Sequence, residues 1–142
     1  TDALPIWLQL YPGVEDTLKR LLQKYHLAII SDGQTAYAVP ELNAVGLFGY
    51  FDPVIVSGDF GYRKPDKRLF ETALTAMKMK PSEVVFVGND MYNDVHGAQK
   101  LGMKTVFFRS NQGLQQKEGV RPDYIIYNFP EVLNALRFFE ER

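Results

Sequence analysis

Residues 84–108 read VVFVGNDMYNDVHGAQKLGMKTVFF, and this stretch decides the fold. Residues 84–87 form a short, continuous apolar run that stops at Gly88, which is typical of a strand buried on both faces of a parallel sheet. Residues 103–108 predict a second strand. Between the two strands lies a stripe at helical spacing, closed by a glycine: Val95, Ala98, Leu101 and Gly102. The order strand, helix, strand predicts a parallel βαβ unit.

The same alternation extends outward in both directions. Further strands are predicted over 27–30, 53–56 and 124–126. Helices are predicted over 14–25, through Leu42 and Val45, over 69–77 after an Asp66 cap, and through Val132 and Leu136 after Asn128, Pro130 and Glu131. This pattern predicts an α/β fold with a doubly wound, Rossmann-type parallel sheet. Ligands of such sheets bind in the crevice beyond the carboxyl ends of the strands.

The composition of the chain disfavours some classes of binding partner. The 142 residues suit one domain, and the formal net charge of −1 comes from interspersed acids and bases. No basic stripe favours nucleic acid or an anionic membrane, so a small molecule is the expected partner. The sequence contains no cysteine and no apolar run long enough to span a bilayer. We therefore expect a cytoplasmic protein.

Polar side chains follow three of the predicted strands. Ser31 ends the strand 27–30 and precedes Asp32 and Gly33, where a hydroxyl and backbone amides can donate hydrogen bonds to a phosphoryl oxygen. Lys64 offers a compact positive charge to a phosphate and a carboxylate at once. The third group follows Gly88 and supplies the oxygen ligands that Mg²⁺ prefers: Asn89, Asp90 and Asp94.

These residues resemble the motifs of the haloacid dehalogenase superfamily. Ile29-Ile30-Ser31-Asp32-Gly33 is similar to its second motif, Arg63-Lys64-Pro65 to its third, and Val87-Gly88-Asn89-Asp90 with Asp94 to its fourth. The resemblance covers nearly the whole chain. It implies a magnesium-dependent phosphohydrolase that acts on a small phosphorylated metabolite through an aspartyl-phosphate intermediate.

The resemblance also implies a role for each matching residue. Ser31 would bind the phosphoryl group, and Lys64 would neutralise charge. The fourth-motif acids would hold magnesium. Many relatives have Asp directly after the glycine, whereas this sequence has Asn89, so either Asp90 or Asn89 is the ligand. We favour Asp90, with Asp94 as direct or water-mediated support.

The first motif of the family has no counterpart in this sequence. That motif is an apolar strand ending in Asp-x-Asp-x-Thr, and its first Asp attacks phosphorus. We expect residues 1–10 to be the trailing connection from a missing cap or linker and residues 11–142 to be a core domain truncated at its amino terminus. The chain alone is then predicted to be inactive. An amino-terminal fragment or a second chain would fill the empty central position of the sheet.

Two other functions remain open at this stage. The first is a non-catalytic module of the same fold that binds phosphate or a protein. The second is a haloacid dehalogenase, which would use an aspartate on carbon without magnesium; Gly88 with Asp90 and Asp94 favours the phosphatase.

Overall fold

A computed structural model describes residues 13–32, 48–110 and 113–142. Its strands are β1 (Ile29–Ser31), β2 (Val54–Val56), β3 (Val85–Gly88), β4 (Lys104–Phe108) and β5 (Tyr124–Ile126). Its helices are α1 (Val14–Leu22), α2 (Lys67–Met77), α3 (Gly97–Gln99) and α4 (Val132–Glu140). A π-helical segment, Met91–His96, runs into α3. The predicted helix through Leu42 and Val45 and the predicted connection 1–10 lie outside the described residues.

All strand pairs are parallel, as the sequence predicted, but they form two sheets. One sheet contains β1 and β2, and the other has the order β3-β4-β5. In the first sheet Ile30 lies opposite Ile55, and in the second Val87 lies opposite Val106. Among the described residues no strand lies between β1 and β3. We call the space between β1 and β3 the gap; the strand of the first motif, which this sequence lacks, was expected there.

The strands that border this gap are more exposed than expected. Residues 105–108 of β4 are buried, whereas every residue of β1 and β3 is only half-buried. The prediction that β3 is buried on both faces was therefore wrong, and β1 is half-buried as well. An apolar cavity of about 280 Å³, lined by Ala28 and Ile30 on one side and by Val85 and Val87 on the other, explains the difference.

Helices bridge the two sheets on both faces. On one face, Leu18 and Leu21 of α1 and Val132 of α4 pack in a cluster that includes Ile29 and Val85. On the other face, a second cluster joins α2 to both sheets: Phe70, Leu74, Ile30 and Phe86. Side-chain packing against the helices therefore connects β1 to β3.

Most helix ends follow the local sequence. Asp66 caps α2, because its carboxylate accepts a hydrogen bond from the Arg68 amide at 2.9 Å, as predicted. Glu131 accepts from the Asn128 amide at 2.8 Å, which is half of a capping box. The helix α1 ends at Leu22 and not at the predicted Tyr25, whose amide instead closes a turn onto the Leu21 carbonyl. No helix in the described part of the chain has the length and apolarity needed to cross a bilayer.

Candidate functional site

Three loops meet at the carboxyl ends of the strands. Lys64, in the loop after β2, donates from Nζ to Oδ1 of Asp94 at 2.7 Å, and Asp94 lies after β3. The backbone amide of Lys64 donates to Oδ1 of Asp32, directly after β1, at 2.9 Å. One residue thus joins loops from both sheets, through contacts with Asp32 and Asp94.

Lys64 is held by its surroundings. Its side chain is 13% exposed, and its ammonium lies 5.8 Å from the centre of the Phe86 ring. The neighbouring Pro65 packs against Gly97, where an added Cβ would lie 3.0 Å from the Cβ of Pro65 and 2.8 Å from the Phe70 ring. The small Gly97 therefore allows this loop to approach the π-helical segment closely.

Asp94 uses both of its carboxylate oxygens. Oδ1 receives the Lys64 ammonium, and Oδ2 accepts the amides of Asn89 at 3.0 Å and Asp90 at 3.1 Å. Its side chain is 5% exposed. Gly88 makes room for it, because an added Cβ there would lie 2.3 Å from the Asp94 Cβ. A buried charge with these partners is compensated on every side.

Asp90 binds backbone amides. Its Oδ1 accepts from Tyr92 at 2.9 Å and from Asn93 at 2.8 Å, which caps the π-helical segment. Its Oδ2 accepts from the Leu114 amide at 3.1 Å. These contacts make Asp90 a cap, which is the structural alternative to a metal ligand for an acid in this turn, and also bind it to Leu114.

The donor chemistry of the turn fits magnesium only in part. Asn89, Asp90 and Asp94 offer hard oxygen ligands, which Mg²⁺ prefers together with several waters. Within the described ranges, however, no three His, Cys, Asp or Glu side chains gather into a metal cluster. The turn therefore provides part of a ligand set and lacks a further free carboxylate.

The remaining residues that were predicted to bind phosphate are Ser31 and Gly33. Ser31 is the last residue of β1 and is half-buried at the same edge of the sheet as Asp32. Gly33 lies outside the described residues. Sequence reasoning missed Gly113 and Leu114, which contact the acidic turn. Their position in the loop after β4 was the available signal, since that loop also leaves the sheet at a carboxyl end.

Comparison with known proteins defines the class. A family model described as haloacid dehalogenase-like hydrolase matches residues 6–108. The chain therefore belongs to the haloacid dehalogenase-like hydrolase family. This agrees with the α/β fold and with the lysine and acidic turn at the carboxyl ends of its strands.

Individual relatives are phosphatases. The glyceraldehyde 3-phosphate phosphatase of Pyrococcus furiosus is 35% identical over 135 residues, which covers 92% of this chain and 55% of that protein. The phosphoserine phosphatase of Thermus thermophilus is 33% identical over 128 residues, covering 89% and 51%. The crystal structure of a HAD phosphatase from Thermococcus onnurineus superposes with a TM-score of 0.80 at 29% identity, covering 94% and 64%. The chain spans about half the length of the curated relatives it matches.

Proposed function

We propose that this chain carries the phosphate- and magnesium-handling part of a phosphohydrolase for a small phosphorylated metabolite. The observation that supports this most strongly is the contact of Lys64 with both Asp94 and Asp32 at the carboxyl edge of the sheets. This contact supports the proposal because it keeps a largely shielded ammonium near the crevice where ligands of α/β sheets bind.

Each residue of the edge has a proposed role. Ser31 and the backbone after it would hold phosphoryl oxygens, and Lys64 would offset the charge of the transferring group. Asn89, Asp90 and Asp94 would supply the magnesium ligands. When bound, magnesium supplies positive charge next to the phosphoryl group. Asp32, whose Oδ1 holds the Lys64 amide, would position that loop.

The attacking aspartate of the family motif is not in this sequence, so we propose that it arrives on a strand that fills the gap between β1 and β3. On the β1 side, the Ile29 amide donates to the Pro53 carbonyl. Neighbouring residues of a strand alternate in direction, so the backbone groups of Ala28 and Ile30 point away from β2 and into the gap.

The β3 side of the gap is complementary. The Lys104 amide donates to the Val84 carbonyl, which directs the backbone groups of Val85 and Val87 away from β4. Donors and acceptors therefore line both sides of an apolar cavity. An extended apolar segment is the occupant that satisfies both edges, and its carboxyl end would lie next to Lys64 if it ran parallel to its neighbours.

Two relatives guide the proposed substrate. Their names specify a phosphorylated aldehyde and a phosphorylated amino acid, so the class extends to small phosphorylated metabolites. A non-catalytic module remains the second candidate, because the described residues contain the assisting groups without the nucleophile. The dehalogenase is disfavoured by the oxygen-rich turn at Asn89, Asp90 and Asp94.

The proposed function is tested by supplying the strand that would fill the gap as a synthetic peptide. A synthetic apolar segment ending in Asp-x-Asp-x-Thr is mixed with the chain, and phosphate release from para-nitrophenyl phosphate and glyceraldehyde 3-phosphate is measured with magnesium. We expect no turnover by the chain alone and magnesium-dependent turnover by the mixture. Lys64→Met should abolish it.

The matched control is a peptide whose first Asp is replaced by Asn, which should bind without turnover. Phosphate release by the chain alone, lost on Lys64→Ala, would show that a nucleophile had been overlooked. Tight binding of the active peptide without any turnover would favour the non-catalytic module.

A further inference from the structure

Gly113 lies directly against the peptide that joins Asn89 to Asp90. A Cβ at Gly113 would be 2.4 Å from the carbonyl oxygen of Asn89 and 3.2 Å from the Cα of Asp90. Gly113 also has a φ of +77°, in the left-handed region that favours glycine. Both steric contact and backbone conformation therefore require the absence of a side chain here.

Leu114 ties the same loop to the acidic turn by two hydrogen bonds. Its amide donates to Oδ2 of Asp90 at 3.1 Å, and its carbonyl accepts from the Met91 amide at 2.8 Å. Leu114 is therefore fixed to the turn twice, because its carbonyl binds a backbone amide of the turn and its own amide binds the Asp90 carboxylate. We call Gly113, Leu114 and Asp90 the clamp.

The clamp acts on the charged centre through one peptide. The amides of Asn89 and Asp90 both donate to Oδ2 of Asp94, which leaves Oδ1 to receive the Lys64 ammonium. A shift of the Asn89–Asp90 peptide would move both donors at once. The orientation of Asp94, and with it the position of Lys64, thus depends on contacts made by the loop after β4.

We propose that Gly113 and Asp90 are positioning residues, which hold the Asn89–Asp90 peptide so that its amides aim Asp94 at Lys64. This reassigns Asp90 from a magnesium ligand, its role in the proposed function, to the clamp, and leaves Asn89 and Asp94 as the ligands of the turn. The inference deepens the proposed function and rests on it for the importance of Lys64 and Asp94. The contacts themselves are independent of any bound ion.

The first experiment compares Gly113→Ala with Gly119→Ala. Both glycines have a φ of +77°, but a Cβ at Gly119 meets nothing within 4 Å, so backbone strain is matched and only the contact with Asn89 differs. The readout is the Lys64 ammonium signal in nitrogen-15 NMR, which a buried ion pair keeps in slow exchange with water. We expect the signal to be lost in Gly113→Ala and kept in Gly119→Ala. Equal behaviour of the two variants overturns the proposal.

The second experiment uses Asp90→Asn, which avoids any steric clash. Its side-chain oxygen still caps Tyr92 and Asn93, whereas its NH₂ group faces the Leu114 amide and opens the clamp. We expect faster hydrogen exchange at the Leu114 amide and loss of the Lys64 signal. Retention of that signal with a change in magnesium binding alone would identify Asp90 as a ligand and contradict the proposal.

Magnesium titration distinguishes a failure of the proposed function from a failure of the clamp proposal. If the unaltered chain binds magnesium, Gly113→Ala and Asp90→Asn should each weaken it by roughly 10-fold, as loss of outer-shell support does, and the double variant should be no weaker than either. If the two fold-changes in magnesium affinity multiply in the double variant, Gly113 and Asp90 have separate roles. If no magnesium binds to any form even when the strand peptide is present, the proposed function fails, and the Lys64 signal still decides the clamp.

Discussion

The central residue contact is the ion pair of Lys64 with Asp94. Both side chains are largely withdrawn from water, at 13% and 5% exposure. Burying two charges is costly, and an apolar pair of similar volume is often at least as stable. The remaining oxygen of Asp94 is satisfied by two amides, so the pair is well compensated. A buried ion pair of this kind is nevertheless weak evidence for a gain in stability.

Replacing Lys64 by Met should strongly destabilise the chain, because the carboxylate of Asp94 would remain buried without its counter-ion. Loss of one partner of a buried pair costs about 3–5 kcal/mol. The double variant Lys64→Met with Asp94→Asn should recover much of this loss. Urea unfolding of the three forms measures both values.

The control is Arg68→Met, which breaks the exposed pair of Arg68 with Asp66. Exposed pairs contribute little, so this variant should unfold close to the unaltered chain. A Lys64→Met variant as stable as Arg68→Met would mean that Asp94 is hydrated or reoriented in solution.

At this scale the sequence predicted which charged residues meet. Lys64 and Asp94 follow separate strands of one parallel topology, and such strand ends share an edge. The sequence did not predict that Asp90 binds the loop after β4 or that Gly113 lies against the acidic turn. Both roles depend on the path of the loop after β4, and no residue pattern fixes where that loop returns to the acidic turn.

At the scale of elements, the short connections decide where each helix begins. The amino end of α2 depends on Asp66, which accepts from the Arg68 amide and pairs with its guanidinium at 2.7 Å. The Arg68 side chain, followed by its backbone amide, lowers the pKa of Asp66 to about 2. The cap is therefore charged over nearly the whole usable pH range.

The Asp66 cap should make folding stability depend on pH in acid. Its folded pKa lies below the unfolded value of about 3.9, so its contribution is complete above that value and is lost as pH falls towards 2. Thermal melting of the unaltered chain and of Asp66→Asn should differ at neutral pH and converge near pH 2. Asn keeps a capping oxygen and removes only the charge.

Glu71→Gln is the matched control, since Glu71 is an exposed acid of the same helix. Its melting curve should stay parallel to that of the unaltered chain over this pH range. A constant gap between the unaltered chain and Asp66→Asn down to pH 2 would contradict the prediction.

Element types were predicted better than element ends. The strand 124–126 was predicted with its observed bounds, because turn residues flank it on both sides. The helix after the acidic turn was not: it begins as a π-helical segment at Met91 and ends in α3. Apolar spacing at Val95 and Ala98 does not separate i→i+5 from i→i+4 hydrogen bonding.

At the scale of the whole molecule, the described residues make two sheets that are joined through helices. An apolar cavity of about 280 Å³ lies between the sheets. Each buried backbone group of β1 and β3 that finds no partner across this gap would cost about 1–3 kcal/mol. Native domains have only about 5–15 kcal/mol of stability, so several such groups would remove a large part of it.

We therefore predict that the 142-residue chain, with nothing in the gap, is unstable or associates through the facing edges of β1 and β3. Sedimentation and thermal melting of material confirmed by mass would test this, with and without the strand peptide, which should raise the melting temperature and give a single species. Ala28→Lys places a charge in the cavity and should suppress both association and peptide binding. Ile125→Lys places the same charge on exposed β5, away from the gap, and should change neither. A cooperatively melting monomer that gains nothing from the peptide would show that the gap is closed by other means.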